Sequence, residues 1–310
     1  MNNENQPLMV TIRCITYNHE PYIRECLEGF VMQQTNFRFE AIVHDDASTD
    51  GTAAIIAEYA EKYPDIIKPL YETENQYSKG DGSLQRIMNA HMHGKYVAMC
   101  EGDDYWTDPL KLQKQVDFLE ANEEYSMCFH KVNVITENNI KDNTYDHLIE
   151  KDYTGDEVLS QWTVPTCSVL YHRYIINKVP KHKNFAVGDN VLFATCARHG
   201  KLYCIAGIMA SYRRTLNGAT FTFIGESRYK HYIALAESFP EFKNTISTLI
   251  TGSAVSILKC ELKHLRLSNF VRLYKEVGKT IGYYILLKSL ILNLFGYVKR
   301  ILAKRNSHNQ

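Results

Sequence analysis

The sequence predicts an α/β protein: a doubly wound, mostly parallel but mixed sheet with helices on both faces, plus a C-terminal helical extension. Three observations carry this. Short β-rich apolar runs alternate with segments whose apolar residues recur at helical spacing, and such alternation builds parallel sheets with right-handed crossovers. Three of those runs end in polar clusters, two of them acid-rich, and in such sheets ligands bind beyond the carboxyl ends of the strands. From Ser227 onward the strand signals fade and helical patterns take over.

Leu8 to Ile15 is the first strand, bounded by Pro7 and by Thr16-Tyr17-Asn18-His19. Tyr22 to Gln33 spaces Ile23, Leu27, Phe30 and Val31 as a helix does. Phe39 to Val43 is the second strand and runs into His44-Asp45-Asp46-Ala47-Ser48-Thr49-Asp50-Gly51-Thr52. A helix over Ala53 to Tyr63, a strand over Ile66 to Tyr71 and a helix around Leu84 to His93 follow. Tyr96 to Cys100 is the next strand, and Asp108-Pro109 opens another helix. Beyond Ser227, helices are expected at Tyr229–Ser238, Phe242–Leu265 and Asn269–Val277, giving two regions, 1–225 and 226–310.

A chain of 310 residues, 45% hydrophobic and 23% charged, has ordinary globular composition and room for a sizeable core. Its net charge of zero points away from nucleic acid. Eight cysteines lie scattered without CxxC pairs, several inside apolar runs, which is the pattern of reduced cytosolic thiols rather than of a zinc site or a disulfide framework. The polar stretch Met1 to Pro7 lacks the apolar region of a secretory leader. A cytoplasmic location is therefore expected.

The charge is unevenly placed. Tyr274 to Gln310 holds Lys275, Lys279, Lys288, Lys299, Arg300, Lys304 and Arg305 against Glu276 alone. On a helical wheel, Lys288, Ser289, Asn293, Gly296, Lys299, Arg300 and Lys304 fall on one side of 280–302. That describes an amphipathic helix suited to lying on an anionic membrane surface, because Lys288 and Asn293 interrupt the ~20 apolar residues a span needs. A helix packed on the body of the protein is the other reading.

The chain is organised around Tyr96-Val97-Ala98-Met99-Cys100-Glu101-Gly102-Asp103-Asp104-Tyr105-Trp106. Acids crowded at a strand's end repel one another unless something positive sits between them. Such oxygen ligands suit Mg²⁺ or Mn²⁺, ions that usually also carry substrate phosphates. A solvated acidic turn ahead of a helix is the alternative. Thr16-Tyr17-Asn18, Asp45-Asp46-Ala47-Ser48 and Glu101-Gly102-Asp103-Asp104 fall at three strand ends on one edge, and together they make a site.

These residues resemble family 2 glycosyltransferases of the GT-A fold, over roughly Leu8 to Thr222. The resemblance rests on the strand-then-TYN entry, the V-x-D-D-x-S-x-D-G-T loop from Val43 to Thr52, the acidic motif followed by D-P-x-K-L-x-x-Q (Asp108 to Gln115), and the segment from Gly188-Asp189 to Gly200-Lys201. The acidic motif is similar to that of bacterial polysaccharide-assembly enzymes. The resemblance implies that Asp46 meets the nucleotide base, that Asp45 and Ser48 shape the loop, and that Thr16, Tyr17 and Asn18 line the nucleotide pocket. Asp103 and Asp104 correspond to the ribose and metal carboxylates, either of which would ligate the ion directly, with Glu101, where many relatives have Asp, the third candidate at the metal or behind its ligands. Asp189 would be the base that deprotonates the acceptor hydroxyl, although Gly188 stands where the family has Glu; a plain helix N-cap is the other reading of Asp189. Arg213, in Tyr212-Arg213-Arg214, would contact the diphosphate. Thr166 and Ser168 are either hydroxyl-binding or ordinary strand residues, and Trp106 and Trp162 either sugar-stacking or core anchors.

The implied activity is an inverting, metal-dependent transfer of a sugar from a nucleoside-diphosphate sugar, a UDP-sugar foremost. The acceptor would be a saccharide or lipid-linked hydroxyl, and the enzyme would work at the cytoplasmic face of the inner membrane. A dinucleotide-dependent oxidoreductase is excluded, since no G-x-G-x-x-G follows the first strand. A nucleotidyltransferase fails because Thr16 to Glu20 offers neither a Gly-rich loop nor a basic residue. A non-catalytic, membrane-associated protein that binds sugar nucleotide stands as the alternative. His19, His44, His91, His93 and His130 show no metal-ligand spacing beyond chance.

Overall fold

The computed structural model describes residues 7–136, 142–160, 163–214, 225–263 and 267–282. Trp162 and residues 283–302 of the expected amphipathic helix lie outside them. The chain forms two compact units: Met1–Pro180 with Asp189–Gly218, and Lys181–Gly188 with Ala219–Gln310.

The first unit is a mixed sheet between helices. Its first half follows the expected alternation: β1 (Leu8–Thr16), α1 (Ile23–Val31), β2 (Arg38–Asp45), α2 (Thr52–Lys62), β3 (Ile67–Tyr71), α3 (Ser83–His91) and β4 (Tyr96–Met99). β1 is flanked in parallel by β2 and β4, and β3 extends the sheet beyond β2. A strand so enclosed buries both faces, and Val10, Thr11, Ile12 and Cys14 are all fully buried.

Beyond β4 the sheet continues through strands for which the sequence carries little signal. β5 (Tyr105–Trp106) has two residues and precedes α4 (Lys111–Ala121). β6 (Tyr125–Thr136), β7 (Lys151–Tyr153), the short α5 (Gly155–Ser160), β8 (Leu170–His172), α6 (Gly188–His199) and β9 (Lys201–Arg214) follow. β8 runs antiparallel to both β4 and β6, and β5 and β7 run antiparallel to β9, which makes the sheet mixed. The strand order is β3-β2-β1-β4-β8-β6-β9-β5. β9 reaches as far as Arg214 because its end pairs with both β5 and the last residues of β6. Tyr212, Arg213 and Arg214 are therefore strand residues. The pairing slips between Ile205 and Ile208, where Gly207 takes a φ of +98° that a side chain would resist.

Trp106 is a core anchor, 2% exposed, with its ring edge-on to Phe30 at 5.0 Å. Its indole N–H donates to the Cys167 carbonyl at 2.8 Å. Seven cysteines are buried as free thiols, and Cys260 is exposed.

The second unit holds α7 (Gly225–Ser238), α8 (Lys243–Lys263) and α9 (Leu267–Ile281). Leu235, Phe239, Ile246, Ile250, Ala254 and Leu258 form its core. Phe239-Pro240 breaks the chain between α7 and α8, since proline cannot continue a helix. Among the described residues no helix is long and apolar enough to cross a membrane.

Candidate active site

The site is set by how β1, β2 and β4 end. Thr16 and Asp45 are register partners at the carboxyl ends of β1 and β2. Past β4 the chain keeps following β1: the Cys100 N–H donates to the Arg13 carbonyl at 3.1 Å and the Gly102 N–H to that of Ile15 at 3.0 Å. All three polar clusters thus reach one edge.

The first two clusters are tied together. Asn18 adopts a left-handed φ of 54°, as Asn tolerates, and its side-chain oxygen accepts the Thr49 N–H at 2.8 Å. Its own N–H donates to Ser48 Oγ at 2.9 Å, and that hydroxyl donates to Asp45. Glu20 accepts the Gly51 N–H at 2.8 Å, while Asp50 accepts those of Glu20 and Thr52, at the start of α2. Asp46 is 1% exposed; its carboxylate oxygens accept the N–H groups of Gln76 at 2.7 Å and Tyr77 at 3.0 Å. The carboxylate that the family resemblance assigns to the base therefore also pins the 72–79 loop. Tyr17 stands half exposed at the rim.

In the third cluster the acids separate. Glu101 is turned to Arg13, which donates to it at 2.9 Å from β1, and accepts the Ile15 N–H at 3.3 Å. Burial raises the Glu101 pKa, Arg13 pulls it down, and Asp189 and Asp103 push it up again. Burial disfavours the charge on Arg13, while Glu101 and then Asp189 favour it, and the Arg13 pKa ends raised. Asp104 is 2% exposed and accepts the Arg213 backbone N–H at 2.6 Å. Burial, then the neighbouring Asp103, holds the Asp104 pKa well above the carboxylate range. The half-buried Asp103 carboxylate has no hydrogen-bond partner among the described residues.

The Arg213 guanidinium donates to the Asp103 carbonyl and, at 2.6 Å, to Glu25 of α1. It lies 4.5 Å from the Tyr22 ring centroid and 5.4 Å from that of Tyr105. Arg213 is thus a clamp on the acidic loop. Arg214 pairs with Asp142.

Asp189 opens α6, and its carboxylate accepts the Thr166 hydroxyl at 3.1 Å. Thr166 belongs to a 3₁₀ turn, Thr166–Ser168, fixed from behind by Trp106 on the Cys167 carbonyl and by the Gln115 amide on the Ser168 carbonyl at 2.8 Å. Ser168 is buried and donates to Pro165. Of the Thr166 and Ser168 hydroxyls, it is that of Thr166 which meets a predicted site residue. Arg13, Glu20, Glu25 and Gln115 were missed by sequence reasoning, because their roles arise from pairing across strands and loops far apart in sequence.

A divalent ion fits this chemistry. Asp103 and Asp104 repel each other, the carboxylate of one has no hydrogen-bond partner among the described residues and the other is driven towards its neutral form, so a cation would relieve both. Glu101 does not converge with them, since Arg13 holds it. Among the described residues no three His, Cys, Asp or Glu side chains meet at one point. An ion here would complete its shell from phosphate oxygens and water, as Mg²⁺ and Mn²⁺ do at nucleotide sites.

The glycosyl transferase family 2 model matches residues 11–194. An uncharacterised Mycobacterium tuberculosis protein is 40% identical over 211 residues, 67% of this chain and 60% of the relative, so the chain spans under two thirds of such relatives' length. Putative glycosyltransferase EpsE of Bacillus subtilis is 38% identical over 111 residues, 36% of this chain and 38% of its own. Escherichia coli WfaP, a UDP-Glc:α-D-GlcNAc-diphosphoundecaprenol β-1,3-glucosyltransferase, is 30% identical over 38% of this chain and 43% of its own. Among solved structures, S. aureus TarS 1–349 in complex with UDP-GlcNAc superposes with a TM-score of 0.64 at 14% identity, covering 93% of this chain and 92% of that TarS 1–349 chain. Pyrobaculum calidifontis mannosyltransferase PcManGT, in complex with GDP-Man and Mn²⁺, gives 0.55 at 16% identity, over 94% and 88% of the two chains. The fold is that of GT-A glycosyltransferases, and the chain belongs to glycosyl transferase family 2.

Proposed function

We propose that this glycosyltransferase moves a sugar, with inversion, from a nucleoside-diphosphate sugar to a hydroxyl of a saccharide or lipid-linked acceptor in cell-surface polysaccharide assembly. The observation that carries the reading is the Asp189 carboxylate, held by Thr166 and electrostatically linked to the acidic loop through Arg13 and Glu101. In this reading Asp189 takes the proton of the acceptor hydroxyl. The freed oxygen bonds to the anomeric carbon, the carbon–oxygen bond to the diphosphate breaks, and the nucleoside diphosphate leaves with that electron pair. A single in-line displacement inverts the centre.

Asp45, Asp46, Ser48, Thr16, Tyr17 and Asn18 would form the nucleotide end, and Asp103 and Asp104 the metal end. A bound Mn²⁺ or Mg²⁺ would supply charge neutralisation on the leaving diphosphate. UDP-sugars are the favoured donors, which the UDP-GlcNAc complex of TarS and the UDP-Glc-dependent activity of WfaP support. The transferase region is taken as 1–225, with 226–310 the helical extension. Its basic 280–302 segment would rest on the cytoplasmic face of the inner membrane, where lipid-linked acceptors reside.

A screen of nucleotide sugars with Mn²⁺, reading released nucleoside diphosphate in the presence of acceptor lipid extracts, tests the reading. Release from one donor fixes base and sugar together. No release from any donor would favour a non-catalytic sugar-nucleotide-binding protein, the reading to which Gly188 in place of Glu lends support.

A further inference from the structure

Beside the acidic loop stands a histidine that the roles above leave unused. The backbone of His19 is firmly placed: its N–H donates to Thr52 Oγ1 at 2.9 Å, and its carbonyl accepts those of Tyr22 and Ile23 at 2.8 Å. Its ring is packed against Gly102. A β-carbon at Gly102 would stand 2.9 Å from His19 Nδ1 and 2.6 Å from Thr16 Oγ1, so only glycine lets the acidic loop come this close. Both of those atoms are buried without a hydrogen-bond partner. His19 Nε2 has no partner among the described residues either, and it is the ring nitrogen left open. Of the charged groups acting on the ring, Asp103 comes first, followed by Asp50 and Arg213.

An imidazole N–H beside a free carboxylate ordinarily pairs with it. Here the two do not pair, although neither the ring nor the carboxylate has another partner among the described residues. An imidazole nitrogen that carries its lone pair and an unpaired carboxylate beside it can each give a lone pair to the same cation. We propose that His19 Nε2 joins Asp103 as a protein ligand of the divalent ion, giving a mixed nitrogen–oxygen site that selects Mn²⁺ over Mg²⁺. The inference rests on the donor-site reading above. With two protein ligands, diphosphate oxygens and water complete the shell, consistent with no third side chain converging there. Imidazole favours later divalent metals, whereas Mg²⁺ keeps to oxygen.

The test uses the full chain with Mn²⁺ and UDP, and reads the metal directly by pulsed EPR. The expected result is a ¹⁴N modulation from a coordinated imidazole, converted to the ¹⁵N pattern when only the protein's histidines are ¹⁵N-labelled. That second measurement needs no mutation. In His19→Gln, which removes a side chain without hydrogen bonds, the modulation should vanish. By calorimetry Mn²⁺ affinity in the presence of UDP should fall about 10- to 100-fold, and Mg²⁺ affinity far less. Mn²⁺ and UDP bound together without nitrogen modulation would overturn the His19 assignment and leave the donor-site reading standing. Modulation that persists in His19→Gln, or equal losses for both metals, would likewise overturn it. Failure of Mn²⁺ to bind with UDP at all would overturn both.

Discussion

Lys111 is the buried cation of the motif Asp108 to Gln115, and its removal should stabilise the protein in a pH-dependent way. Its side chain is fully buried. Nζ lies 4.0 Å from the Trp106 ring centroid and donates to Gln115 Oε1 at 2.7 Å; no carboxylate pairs with it among the described residues. Burial lowers its pKa from 10.5 to about 8, against a small opposing pull from Cys100, Cys128 and Cys167. At ~1.36 kcal/mol per pKa unit, the folded state disfavours the ammonium by about 3 kcal/mol. A depressed lysine pKa fixes the sign. Below pH 8 both states are protonated and the penalty is present in full. Between pH 8 and 10.5 the unfolded chain binds more protons, so stability rises with pH, and above 10.5 the penalty is gone. Lys111→Met keeps the volume and removes the charge. It leaves Gln115 Oε1 without its donor, at a cost of about 1 kcal/mol. The variant should be about 2 kcal/mol more stable than the parent at pH 7 and about 1 kcal/mol less stable near pH 11. Denaturant unfolding by Trp fluorescence at both pH values measures this. A difference that does not change with pH, or a parent that is the more stable at pH 7, would refute the argument.

The other expectations concern the site. Asp189→Asn should slow transfer about 10²- to 10⁴-fold with UDP affinity unchanged by calorimetry; wild-type turnover would remove Asp189 as base. Glu101→Gln leaves Arg13 buried without its counter-charge, so thermal unfolding should show a loss of about 1–3 kcal/mol, and an unchanged midpoint would count against a structural role for Glu101. Asp46→Asn removes an acceptor from the Gln76 and Tyr77 N–H groups, and limited proteolysis should then cut faster within 72–82; equal cleavage rates would mean that the loop holds by other contacts. UDP should bind far more weakly in excess EDTA than with Mn²⁺, and equal affinity would sink the cation requirement.

The first half of the fold was legible because each signal there is local. β1 to β4 are apolar runs bounded by turn residues, and the helices between them show helical spacing, so alternation alone implies one shared edge. β6 was not legible: Tyr125–Thr136 mixes His130, Lys131 and Asn133 into its apolar residues, and its partners β8 and β9 come some 40 residues or more later in the chain. Two-residue β5 exists only because β9 is there to pair with it. The acidic motif was visible, but its sorting was not. Glu101 meets Arg13 because β4 lies beside β1, and Arg213 clamps Asp103 because β9 runs on to Arg214, facts of strand order rather than of spacing. His19 falls in the same class, since only the approach of Gly102 makes it a neighbour of Asp103.

That strand order also supports the proposed cation at this edge. Arg13 faces Glu101 with 10% of its side chain exposed, and Arg213, equally covered, is engaged with Glu25 and the Asp103 carbonyl. Both guanidiniums that reach the acidic loop are therefore occupied by protein groups before any donor arrives. Lys111 is buried under Trp106 and cannot reach a ligand. Asp103 and Asp189 stay partly exposed with Asp104 buried beside Asp103, and a diphosphate would add further negative charge there. In a partly buried setting like charges a few ångströms apart cost several kcal/mol, more than hydrogen bonds to a nucleotide would offset. A resident arginine free to take the diphosphate would have removed the need for an ion. By committing both arginines to its own carboxylates, the fold leaves the diphosphate's charge to be met from solution.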